Sequence, residues 1–123
     1  MAQQESIKTL ADIVRFAQEQ NSFSSSLHDT EQTTVEAGAY RRIVKLNEEV
    51  GELCESVLAH FGKQKTKPDK QVSPVADEIA DVVLITAVLA THLNIDLQSA
   101  LETKWASVRK RREAILKTHH KKS

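Results

Sequence analysis

Six acids stand out by their spacing: Glu48, Glu49, Glu52 and Glu55 in one stretch, Glu78 and Asp81 in another. On a helix, residues three apart lie on neighbouring turns of one face. Glu49 with Glu52, and Glu78 with Asp81, therefore each aim two carboxylates at a common spot. Two like charges about 4 Å apart repel by about 4 kcal/mol at an effective dielectric of 20. Four converging from two helices need cations. Few Lys or Arg lie in the apolar parts of either stretch, so a hard divalent ion is the simpler partner. Mg²⁺, or Mn²⁺ in its place, takes about six oxygens and leaves room among them for water and phosphate. The alternative is an ordinary solvated acidic face, and that is the expectation for Glu48 and Glu55, which lie opposite the apolar stripe of their helix. A di-iron carboxylate centre needs a His three residues after a Glu, and neither pair has one.

Four helices must position these acids. The first is expected over about 6–20, with Ile7, Leu10, Ile13, Val14 and Ala17 on one face. Residues 21–34 (NSFSSSLHDTEQTT) read as a long polar loop. The second helix spans about 35–61, with a stripe of Ile43, Leu46, Val50, Leu53, Val57 and Phe61, and Gly62 closes it. Gly51, inside that helix, costs roughly 0.5–1 kcal/mol against Ala, which implies packing or a ligand close to its backbone. A basic linker follows over 62–72. Ser73 and Pro74 then read as cap and first residue of a third helix reaching about 93. Asp77 and Glu78 lie near its start, where the helix dipole favours acids. Val82, Ile85, Val88 and Leu89 continue the face of Glu78 and Asp81, so Asp81 is expected at a burying surface. Asp96 caps a fourth helix running to about 117, and 118–123 read as a frayed tail.

The whole is expected to be one all-α domain over 1–123, with its core at about 6–117. The third helix is apolar nearly all round, more surface than one four-helix bundle can cover. A homo-oligomer, dimer or tetramer, is the expected answer. Seventeen basic residues balance seventeen acidic ones, so no global field favours nucleic acid or membrane. The longest apolar run is too short and too interrupted to span a bilayer. One cysteine, Cys54, excludes an internal disulfide framework and a Cys-based zinc site, and reads as a small buried hydrophobe. With no apolar segment after Met1, a cytoplasmic location is expected.

The runs LNEEVGEL (46–53) and DEIADVVL (77–84) form the pattern EExxE, a spacer, then ExxD. Together they resemble the all-α nucleoside triphosphate pyrophosphohydrolases of the MazG type, a superfamily that includes dimeric dUTPases, dCTP pyrophosphatases and phosphoribosyl-ATP pyrophosphohydrolase. The resemblance covers roughly 40–112. It implies Mg²⁺-dependent hydrolysis of a nucleoside triphosphate between the α and β phosphates, giving monophosphate and pyrophosphate, in nucleotide-pool housekeeping. It further implies that Glu49, Glu52, Glu78 and Asp81 hold the metal, that Glu48 orients or deprotonates the attacking water, and that the protein is a dimer or a dimer of dimers. Four carboxylates against one Mg²⁺ remain net negative, a poor receptor for a triphosphate, so more than one ion per site is expected.

From 101 to 123, eight Lys or Arg face two acids. Family members often carry Lys-x-x-x-Asn-x-x-Arg here, with the cations on the substrate's phosphates. Lys104 and Arg111 match and Val108 replaces the Asn; Arg109 is a further candidate, since a guanidinium grips phosphate with two parallel hydrogen bonds. Trp105 reads as a packing anchor, Tyr40 and Phe61 as core edges, and Phe23 with His28 as ordinary loop residues, a lid over the base being the alternative. A non-catalytic helical interaction module is the alternative reading of the whole chain.

Overall fold

The computed structural model describes residues 6–63 and 72–122. Most of the basic linker, and Ser123 of the tail, lie outside the described residues. Four helices follow in order: α1 (Leu10–His28), α2 (Val35–His60), α3 (Val75–His92) and α4 (Leu97–His120). Among the described residues there is no strand, so the all-α class stands.

Local chemistry sets most of the boundaries. Thr9 caps α1 in a reciprocal box: its hydroxyl accepts from the Asp12 amide, and the Asp12 carboxylate accepts from the Thr9 amide at 3.0 Å. Thr34 caps α2 by accepting from the Ala37 amide at 3.0 Å. At the other end Gly62 takes φ +65, and the amides of Gly62 and Lys63 close on the carbonyls of Ala59 and Leu58. Asn94 (φ 55) ends α3 the same way, with the Ile95 amide on the Ala90 carbonyl at 2.8 Å. Asp96 caps α4 through the Ser99 amide at 3.1 Å. Pro74 takes the cap position of α3 itself and leaves that end without a side-chain cap, so the expected Ser73 cap is corrected by one residue. At its far end α4 continues to His120, three residues past the expected 117.

The largest departure is in α1. The stretch from Asn21 to His28 is helix, and the true loop is only 29–34. Ser and Asn are indifferent helix formers, but Asn21, Ser24 and Ser25 share one face, and α2 presents two arginines to it. Arg42 donates to Asn21 Oδ1 at 2.9 Å and to Ser25 Oγ at 3.2 Å. Arg41 donates to the Asp29 carboxylate at 2.7 Å and to Ser24 Oγ at 3.4 Å. Arg42 is buried, and it also donates to the backbone carbonyls of Gly38 at 2.9 Å and Asn21 at 3.5 Å. Phe23 and His28 are accordingly helical and exposed, not loop residues.

α3 is the central element, packed on one side by α2 and on another by α1. The buried apolar core is small: Ala17, Ala87 and Val88, with Ile13 and Leu97 against it. The chain turns through 114° between α3 and α4, and α4 buries no residue. In the single chain α4 thus stands off from the other three rather than closing a four-helix bundle. Tyr40, Phe61, Trp105 and Cys54, expected to pack, are all exposed; Trp105 lies under the Arg112 guanidinium at 5.9 Å. Gly51 has open space around it, so no packing within the chain explains it.

Gly38 is the close approach. A Cβ there would meet the His92 ring at 2.6 Å, and that ring's Nε2–H donates to the Val35 carbonyl at 2.8 Å. Gly38→Ala should destabilise by about 1–3 kcal/mol through overpacking, read by urea denaturation. Adding His92→Ala should recover part of that loss; equal stability of Gly38→Ala and the parent would contradict the packing described.

Candidate metal centre

α2 and α3 bring the two acidic motifs face to face. Glu49 and Glu78 are buried, at 7% and 4% exposure, while Glu52 is exposed at the rim. One carboxylate oxygen from each lies within 4.8 Å of the others. Glu49 Oε2 and Glu78 Oε2 are buried with no hydrogen-bond partner, and Glu49 Oε1 meets Lys45 Nζ at 3.2 Å. Buried carboxylate oxygens without donors cost several kcal/mol. Three carboxylates converging from two helices, two of them holding an unpartnered buried oxygen, fit the needs of a hard divalent cation. This donor set can hold a metal, and its oxygens alone do not choose between Mg²⁺ and Mn²⁺.

The other expected residues fall at different distances from that focus. Asp81 lies one turn past Glu78 but is exposed, because the inward face of α3 runs through Glu78, Ala87 and Val88; its expected burial is corrected. Asp81 is not in the close triad, yet it lines the adjoining groove together with Glu49. Glu48 is exposed, as expected for that position, with Lys45 Nζ at 3.6 Å. Lys104, Arg109 and Arg111 are exposed along α4, and the single chain does not bring them to the acids. Glu55, expected to be solvated, is only half exposed.

A groove of about 600 Å³ opens beside the acids, between α1 and α3. Phe16, Phe23, Leu84 and Ile85 supply apolar walls, and Gln20 and Glu19 add polar edges. Lys45, the cation at the centre, went unremarked in the sequence, although it stands three and four residues before Glu48 and Glu49, the spacing of helical ion pairs.

Crowding shows in Glu52. The neighbouring Glu49 charge, then burial, then Glu78 raise its pKa above the usual 4.5. A carboxyl whose folded pKa is raised binds its proton more tightly in the folded than in the unfolded state. Its contribution to stability is therefore lost as pH rises from its unfolded value through its raised folded value. In chelator-treated protein, Glu52→Gln should raise Tm at neutral pH, and the gain should fade as pH falls toward 4.5. A lower Tm for the variant at neutral pH would contradict the crowding.

The comparisons bear on this geometry. The model of the phosphoribosyl-ATP pyrophosphohydrolase family matches residues 9–112, which include α2, α3 and all six acids. The uncharacterized protein YpjD of Bacillus subtilis (strain 168) is 33% identical over 58 residues, 47% of this chain and 52% of that relative. The match thus spans about half the length of the curated relative. No solved structure matches the chain. On the family match and the facing acidic motifs, the chain belongs to the phosphoribosyl-ATP pyrophosphohydrolase family, within the MazG-like all-α pyrophosphohydrolase superfamily.

Proposed function

We propose that the chain is a Mg²⁺-dependent nucleoside triphosphate pyrophosphohydrolase, with Mn²⁺ able to substitute. The observation that carries this is the triad of Glu49, Glu52 and Glu78 oxygens within 4.8 Å, two of the three residues holding buried, unpartnered oxygens. Asp81 completes the proposed ligand set from the groove side. More than one ion per site is proposed, because four carboxylates outweigh one divalent charge. Bound there, the metal supplies charge neutralisation and Lewis-acid polarisation of the phosphoryl oxygens. Glu48 is proposed to take a proton from water as the water oxygen joins the α-phosphorus and the bridging oxygen departs with pyrophosphate.

The groove beside the acids supports a plain nucleotide over phosphoribosyl-ATP. Phosphoribosyl-ATP carries a second ribose phosphate on its base, which calls for a cation at the far end of the base pocket. Among the described residues no Lys or Arg lines this groove, whereas its apolar walls and Gln20 suit an unencumbered base.

We infer that the working unit is a homodimer or tetramer. Tyr40, Ile43, Val50, Val57 and Phe61 are exposed along α2 at heptad spacing, and Ile79, Val83 and Leu93 are exposed on α3. In this reading the outstanding α4 would deliver Lys104, Arg109 and Arg111 to the substrate bound by a second copy. Val108, in place of the family's Asn, favours one rival: a helical interaction module without turnover.

Incubation with a panel of ribo- and deoxyribonucleoside triphosphates and Mg²⁺ should give monophosphate and pyrophosphate in equal amounts. Chelation should stop the reaction, and Glu49→Gln or Glu78→Gln should slow it by roughly a hundredfold or more. Turnover unmoved by either substitution would refute these assignments; absence of any turnover would favour the module. Sedimentation should show a dimer or tetramer that Val57→Lys dissociates. A monomer at micromolar concentration would reject the assembly.

A further inference from the structure

Two cavities flank the acids, and their linings differ in charge. The apolar groove carries Glu19, Glu49 and Asp81 and, among the described residues, no basic side chain. The second cavity, about 380 Å³, is lined by Arg41, Arg42 and Lys45, with His28, Ser24 and Glu48. Gln20, Ile85 and Val88 line both, so the two share a wall. A nucleotide has the same split, an apolar base at one end and a polyanion at the other.

The cationic cavity is built rather than incidental. Arg42 is buried at 3% exposure and fixed by Asn21, Ser25 and the Gly38 carbonyl, so its charge cannot swing away. Arg41 is held by Asp29 at 2.7 Å. Lys45 is half exposed and bridges the two regions, 3.2 Å from Glu49 and 3.6 Å from Glu48. These pairings with Glu49 and Glu48 hold its pKa above the usual 10.5.

We propose that this cavity receives the polyphosphate end of the nucleotide, and that Lys45 is the residue that carries a phosphate oxygen there. The inference rests on reading the acids as the metal centre of a nucleotide hydrolase. In the chain as it stands, Lys45 balances Glu49, the carboxylate whose other oxygen is unpartnered. When Glu49 turns to a divalent ion, the Lys45 ammonium loses the nearer of its two acidic partners, keeps Glu48 on the side of the cationic cavity, and meets a like charge. Its flexible four-carbon stem then swings the ammonium toward the adjoining cavity, where a phosphate oxygen replaces the carboxylate. The phosphate site is thus supplied by α1 and α2 of the same chain, independently of the α4 cations.

The test is calorimetric titration of inorganic pyrophosphate with Mg²⁺, and separately of Mn²⁺ alone, into the full chain and its variants. Lys45→Gln should weaken pyrophosphate about tenfold, the size of one charge-assisted contact, and Lys45→Arg should restore most of it. The same Lys45→Gln should bind Mn²⁺ more tightly than the parent, since a competing cation is gone; a merely structural lysine would not give these opposite shifts. Unfolding curves establish that both variants fold. Undiminished pyrophosphate affinity in folded Lys45→Gln, with the parent still turning over nucleotide, overturns the phosphate assignment alone. Failure of the parent to bind Mn²⁺ at all overturns both this inference and the hydrolase reading.

Discussion

Glu49 and Glu78 are carboxylates that the fold has buried without giving all their oxygens a donor. An unpaired buried carboxylate is among the most expensive groups a protein can hold, and here two helices turn such groups toward each other with Glu52 at the rim. Within the described residues only Lys45 reaches in to offset them. A side-chain ammonium satisfies one oxygen; the geometry leaves a place for a cation of higher charge. Much of the remaining structure follows from holding this arrangement together while it is strained.

The frame that holds it is polar as much as apolar. The purely apolar core is small, and α1 is fastened to α2 by the buried Arg42 and the Arg41–Asp29 pair. These contacts extend α1 by two turns beyond its apolar part and fix the wall shared by the two cavities. The acids sit where α2 and α3 cross, flanked by an apolar groove and a cationic cavity, the proposed seats of base and phosphates. That division of polarity along one surface is what a nucleotide requires, and it arises from helix faces rather than from loops. The apolar surface left over on α2, α3 and α4 is a second unmet demand, and it is the ground on which an assembly of copies is proposed.

The sequence was a good guide where the determinant is local. Four helices, the Asp96 cap, the Gly62 stop and the facing acidic motifs follow from periodicity and neighbouring side chains. It was a poor guide where the determinant is distant. The Ser-rich end of α1 looks like a loop until Arg41 and Arg42, seventeen or more residues away, are seen to bond it. Glu78, not Asp81, is the buried acid because the inward face of α3 is set by which side α1 and α2 occupy. The direction of α4 depends on one turn at Asn94, which no helical pattern reveals. Lys45 was hidden for another reason: an ion pair one turn apart looks like surface until its acid proves to be buried.

Anomalous diffraction from a crystal grown with Mn²⁺ tests the central claim most directly. The account predicts a peak between the α2 and α3 helices, coordinated by oxygens of Glu49, Glu52 and Glu78 at about 2.0–2.2 Å. Ordered Mn²⁺ elsewhere with no peak at these carboxylates, or acids turned apart with Lys45 still on Glu49, would contradict it.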